Sequence, residues 1–303
     1  MNKKILRIIL ISLLAAVFAV SMGMVIFHQI ESQKAIDAAE DAARIAGLNT
    51  GTATPRPETA APTAQPPSPP PDETPEPPPE ETPEPPPEET APPEPDPLPL
   101  DALPGEAREL AGLDLDALRA VNTDVVGWIS IPGTVVSYPL MQGTDNEYYL
   151  SHNWKKEYSY SGSLMMAYYA DRAMTDFHTI VYGHHMRNET MLGSLKHYFG
   201  NPDYWKSHPS VYIVLDDMIY QYDIFSMQRT AVNGNIYRLD LEENHLEQQF
   251  IQYCINHSLI NTGVVPAPNS RILTLSTCTG DLDPNERWVV QGYLAQRYIR
   301  DNT

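Results

Sequence analysis

Cysteine is nearly missing from this sequence: 303 residues hold only two, Cys254 and Cys278. Two thiols do not make a disulfide framework. Basic residues are also scarce, 20 lysines and arginines against 39 acidic residues, for a formal charge of −19. That balance, without a basic surface pattern interleaved with aromatics, argues against a nucleic-acid partner. No G-x-S-x-G elbow, P-loop, H-E-x-x-H or dinucleotide fingerprint is present, so the commonest hydrolase, nucleotide and zinc signatures are gone.

One long uncharged run exists, at the N-terminus. MNKKILR carries Lys3, Lys4 and Arg7, and Ile8 to Phe27 follows without a charge. At ~1.5 Å per residue this run spans ~30 Å, the thickness of a bilayer's hydrocarbon core. A cleaved signal peptide has a shorter apolar stretch and needs a small-x-small site followed by polar sequence, which is not found. The expectation is a retained anchor over 8–28, with the basic segment 1–7 cytoplasmic and the rest of the chain outside.

After a juxtamembrane stretch (29–54) the composition shifts. Residues 55–99 hold 21 of the 29 prolines, and ETPEPPPE occurs twice in succession, at 73–80 and 81–88. Proline removes backbone donors and the glutamates repel one another, so no core forms here. An extended polyproline spacer over 55–105 is expected, and a plain spacer is preferred to a docking site for a proline-binding partner. At ~3.1 Å per residue it would hold an active head well away from the lipid.

The remaining part, 106–303, suffices for one domain. LDLDALRAVNTDVVGWISIPGT reads as a short helix, a turn and a strand. VVSYPLMQ, SLMMAYYA and TIVYG suggest further strands. VYIVL and MIYQYDIF, split by Asp216-Asp217, suggest a hairpin, and ILTLSTC and RWVVQGYLAQ two more strands. MLGSLKHYF (191–199) and LEENHLEQQFIQYCINHSL (241–259) have helical spacing. A closed or strongly coiled mixed sheet is the economical architecture; periodicity does not separate barrel from sandwich.

Chemistry concentrates near the C-terminus. Cys278 closes TLSTC, on the strand face that carries Thr274 and Ser276, opposite Leu273 and Leu275. A polar loop follows directly, which makes a nucleophile plausible beside a structural thiol or half of a disulfide. A thiol nucleophile needs a nearby cation and a proton carrier. His184, just after a strand and a glycine in TIVYGHHM, is the best proton carrier, with adjacent His185 pointing elsewhere if the chain stays extended. Tandem histidines invite a metal, yet no Asp, Glu or Cys stands at ligand spacing beside them. Arg287 lies nine residues beyond Cys278. A hairpin-like return would bring its guanidinium to the thiol, where it could bind an oxyanion; otherwise it is a solvated loop arginine. Cys254 and His257, three apart on a predicted helix, give a weak ligand signal, and Cys254, flanked by Tyr253 and Ile255, reads as helix packing.

With TLSTC, YGHHM and RWVV on the page, the chain resembles the sortases, the cell-wall transpeptidases of Gram-positive bacteria, and class B most of all. The likeness runs from about Leu113 to Leu294, through NTDVVGWISIPGTVVSYPLMQGTDNEYYLSHNW, SGSLMMAYYAD, TIVYGHHM and LTLSTC. It implies a mostly β fold: an eight-stranded sortase-type barrel with N-terminal helices. A helical insertion before the cysteine-bearing strand, about Leu239 to Pro268, would help form the substrate groove. It puts the family's catalytic histidine on His184, its nucleophile on Cys278 and its arginine on Arg287, with no cofactor or metal. The chain departs at His185, where class B members often have asparagine, and in the TGDLDPNE loop.

The implied reaction is acyl transfer. Cys278 would attack a carbonyl in the C-terminal sorting motif of a secreted protein, and a peptidoglycan precursor or other wall amine would take the acyl group. Rival readings are a pilus-assembly sortase, a hydrolytic cysteine peptidase of the same fold, and a non-enzymatic wall-binding module with Cys278 buried.

Overall fold

The computed structural model describes residues 3–48, 94–201, 203–238, 241, 244–280 and 283–300. The expected spacer as far as residue 93, and residues 281–282 of the loop after Cys278, lie outside these. Among the described residues there are five α-helices: α1 (Lys3–Ile45), α2 (Leu115–Arg119), α3 (Lys196–Gly200), α4 (Tyr204–Ser207) and α5 (Asn244–Asn256). The strands are β1 (Val125–Ser130), β2 (Ser137–Met141), β3 (Leu164–Met166), β4 (His178–Tyr182), β5 (Ser210–Val214), β6 (Met218–Ala231), β7 (Ile272–Cys278) and β8 (Glu286–Ile299). They close into one barrel in the order β1-β2-β3-β4-β7-β8-β6-β5. The eight-stranded barrel implied by the resemblance is therefore present.

Local chemistry starts and stops these elements. The Asp114 side chain accepts a hydrogen bond from the Ala117 amide at 2.9 Å and caps α2. Asp216-Asp217 turns β5 into β6, with the Leu215 amide donating to the Met218 carbonyl at 2.8 Å. Register shifts between Gln221 and Tyr222 and between Ile224 and Ser226 let the 14-residue β6 bend around the barrel beside β8. The helix expected over 191–199 begins only at Lys196, after a 3-10 turn at Gly193–Leu195. Met191 is held out of it, at φ +56°, by a bridge to His185 and a hydrogen bond from its amide to the Tyr138 hydroxyl.

Three apolar clusters hold the domain. Ile129, Leu140, Ile180, Leu273 and Leu275 are among those filling the barrel. A second cluster joins Trp128, Tyr212 and Val214 to Leu110, Leu118 and the alanines near the end of α1. The third lies under α5, where Phe250, Ile251 and Cys254 cover Phe225, Ile272 and Val289. Full burial of each large apolar side chain there contributes about 1.5–3 kcal/mol. Both faces of β7 are thus covered, and of its residues only Cys278 is exposed.

α1 has a stretch, Leu13–Ile45, long and apolar enough to cross a membrane. Its 43 residues run ~65 Å.

Candidate active site

The order β4-β7-β8 brings three chain segments to one barrel edge. β7 and β8 are antiparallel, and their register sets Cys278 directly opposite Arg287. The hairpin-like return that the sequence allowed is real, and the strand ends meet. On the other side of β7, β4 runs parallel, with Tyr182 opposite Ser276 and the Gly183 amide donating to the Ser276 carbonyl at 3.2 Å. His184 is two residues past Tyr182, as Cys278 is two past Ser276, so they leave neighbouring strands at the same level.

The two histidines take different partners. His184 Nε2 lies 2.8 Å from the Leu150 carbonyl oxygen. A carbonyl only accepts, so Nε2 carries the proton, and the neutral ring keeps its lone pair on Nδ1. His184 also lies parallel to Tyr160, with ring centroids 6.5 Å apart and planes 3° from parallel. His185 points its Nδ1 at the Cys278 carbonyl, 3.0 Å away. Its ring meets Trp288 at 5.2 Å, and Trp288 stacks on Phe199 at 4.9 Å. Gly280, at φ +77°, turns the chain out of β7, and a Cβ there would stand 3.1 Å from the His185 ring.

Arg287 is half-buried, and its Nη1 donates to the carbonyls of Pro284, at 2.7 Å, and Glu286, at 2.9 Å. Those two bonds fix the plane of the guanidinium fork at the end of β8. Tyr237 lies within electrostatic reach of both Arg287 and Cys278, with its hydroxyl 2.7 Å from Ser276 Oγ. Burial raises its phenol above the ordinary value, against a smaller opposing pull from Ser276 and Arg287. Tyr182 and Tyr169 share a hydrogen bond nearby. The sequence did not single out these tyrosines. Ser276, two residues before Cys278 on the same strand face, was the available pointer to Tyr237.

The two thiols differ sharply. Cys254 is fully buried on α5 and accepts a hydrogen bond from Gln291 Nε2 at 3.0 Å. Desolvation pushes its thiol up to about 12. Cys278 is exposed, and neither cysteine is in a disulfide. Among the described residues, no three His, Cys, Asp or Glu side chains gather closely enough to hold a metal ion.

The chain is similar to known proteins over most of the barrel domain. A family model described as Sortase domain matches residues 129–295. Sortase B of Listeria monocytogenes is 31% identical over 194 residues, which cover 64% of this chain and 77% of that protein. Sortase B of Staphylococcus aureus is 33% identical over 163 residues, 54% of this chain and 66% of that protein. Among solved structures, a Staphylococcus aureus sortase B–substrate complex superposes with a TM-score of 0.56 at 31% identity, covering 60% of this chain and 84% of that one. Sortase B of Clostridium perfringens gives 0.55 at 30% identity, covering 59% and 98%. The match over more than half the chain and these likenesses together establish that the chain belongs to the sortase family, in class B, and is a cysteine transpeptidase.

Proposed function

We propose that Cys278 is the acyl carrier, His184 the proton carrier and Arg287 the oxyanion ligand of this transpeptidase. The observation that supports it best is the register on either side of β7: Cys278 opposite Arg287, and His184 leaving β4 at the same level. The Cys278 thiolate adds to the carbonyl carbon of a sorting motif, and the charge that develops on oxygen is met by N–H donors of the oriented Arg287 fork. The C–N bond then breaks as the His184 imidazolium gives its proton to the departing amine, leaving a Cys278 thioester. An incoming amine attacks that thioester and His184 takes its proton. The new amide leaves and the thiolate is regenerated. With Nε2–H committed to Leu150, Nδ1 is the atom of His184 that carries the moving proton.

The donors are secreted proteins with a C-terminal sorting motif, and the acceptor is a peptidoglycan precursor or another wall amine. The chain sits in the cell membrane by α1, with Lys3, Lys4 and Arg7 on the cytoplasmic side and the barrel outside. Thiol and imidazole must be ionised in opposite senses, so the rate against pH is bell-shaped.

Incubating the full chain with a peptide library of C-terminal sorting motifs, with and without an added amine, tests the reading by mass spectrometry. An acyl mass on Cys278, its absence in Cys278→Ala, and amide product only with amine are expected. Acylation elsewhere would overturn the assignment of Cys278, and amine-independent release would make the reaction hydrolysis.

A further inference from the structure

α1 does not end where its apolar run ends. From Leu13 to Ile30 its large apolar side chains are exposed, while Glu31, Ala35, Ala42 and Ala46 are buried. Ala35, Ala38, Ala39, Ala42, Ala43 and Ala46 recur at helical spacing, a face small enough for close backbone approach. The approach is hydrogen-bonded: Trp154 Nε1 donates to the Ala38 carbonyl and the Asp114 amide to the Ala46 carbonyl, both at 2.9 Å. Lys155 pairs with Asp41. At the far side of residues 49–93, Glu94 pairs with Arg271 and with Arg297, at 2.9 Å from the latter. The anchor therefore reaches the barrel directly, as a continuous helix.

The same helix touches the site. The Glu31 carboxylate accepts from the Tyr160 amide at 3.2 Å, and His28 meets the Tyr160 ring edge at 6.1 Å. The other neighbour of Tyr160 is the His184 ring, lying parallel to it. Leu150, which takes the His184 Nε2–H, belongs to the same loop. Bonds from Ser159 to Ser151 and from Ser163 to Tyr149 close that loop, 2.9 and 2.8 Å between backbone nitrogen and oxygen. Gly162, at φ +57°, completes the closure, since a Cβ there would stand 2.4 Å from the Tyr149 carbonyl oxygen. The parallel Tyr160 ring and the Leu150 carbonyl, both neighbours of His184, thus sit on one loop held by the anchor helix.

We infer that the lower part of α1, His28 to Ile45, is a working part of the catalytic domain, and that Tyr160 is a positioning residue through which it orients His184. The inference rests on His184 being the proton carrier. A ring held parallel on one side and hydrogen-bonded at Nε2 keeps Nδ1 aimed, and the anchor supplies the fixed point behind that ring.

The test uses the full chain in lipid nanodiscs, with p-nitrophenyl acetate to acetylate Cys278 and glycinamide as the amine. Aminolysis of the acetyl thioester requires proton removal by His184. Tyr160→Ala is expected to lower the turnover number about tenfold with the glycinamide KM within twofold, and to shift the His184 Cε1–H resonance as the neighbouring ring is lost. Tyr160→Phe keeps the ring and restores both, and Glu31→Ala moves both in the Tyr160→Ala direction by less. Unchanged turnover and an unchanged His184 resonance in Tyr160→Ala would overturn the inference. So would equal impairment of the Ala and Phe variants with a lowered Tm, which marks a merely structural residue. If the wild type forms no Cys278 thioester, the assignment of Cys278 as acyl carrier fails by itself, while the resonance still reports whether the anchor orients His184.

Discussion

The His185 imidazole donates from Nδ1 to the backbone carbonyl of Cys278, and so ties the peptide unit of the proposed nucleophile to the loop that carries His184. One neutral hydrogen bond of this kind contributes about 0.5–1.5 kcal/mol. His185→Ala should therefore lower kcat/KM by about 2–10-fold, read from peptide cleavage. His185→Asn, whose amide can donate to the same carbonyl, should stay within about twofold of wild type. Equal losses in both variants would show that the ring contact with Trp288 matters instead.

The second site variant concerns charge. Removing an oxyanion donor typically costs about 10²–10³ in kcat, and that is the loss expected for Arg287→Ala in the time course of acyl-enzyme formation. Arg287→Lys should recover only part, because an ammonium cannot reproduce a planar fork anchored on two carbonyls.

Thiol labelling separates the two cysteines. With its thiol pushed up to about 12, Cys254 is ionised to the order of one part in ten thousand at pH 8, and it is buried as well. Iodoacetamide should label native protein once, on Cys278, and label Cys254 only after denaturation. Double labelling of native protein would mean that α5 opens readily.

Acid stability should depend on His178. Its ring packs on Phe250, with Nε2 2.8 Å from Thr274 Oγ1, and burial pulls its pKa down to about 3, against a weaker pull from the Arg238 backbone. In the unfolded chain the group takes a proton near pH 6.5. Between about pH 6.5 and 3 the unfolded state thus holds more protons, and stability falls with falling pH, by up to about 2 kcal/mol at pH 5. Above pH 6.5 this contribution is fully present. His178→Gln should flatten the fall, measured as Tm between pH 7 and 4; parallel curves for the two proteins would refute it.

Most barrel strands were legible because they are short, rich in β-branched and aromatic residues, and closed by Gly, Pro or Asp, whereas the 14-residue β6 and β8 run past the segments read from the sequence. Cys278, His184 and Arg287 could be named from a strand end, a glycine and a return loop. Their arrival at one end of β4, β7 and β8 follows from register, which single segments do not encode. Met191 misled the helix reading of 191–199, since a bridge to His185 outweighs local periodicity. Tyr160 and His185 were opaque for a similar reason. Their partners, Glu31 and Cys278, lie 129 and 93 residues away in the chain. Where α1 rests is equally tertiary, for an alanine face announces small size and not its partner.

The parallel pairing of β4 with β7 also bears on how the molecule assembles. Two parallel neighbours need a long crossover between them, and here it spans residues 183–271 and contains β5, β6 and α5. His184 and Cys278 cannot meet until that whole excursion has closed, so the reacting pair rests on non-local contacts, the kind that form slowly. On the proposed assignment, thiol reactivity tuned by His184 is a property of the finished barrel, and a partly assembled chain would carry Cys278 without its proton partner.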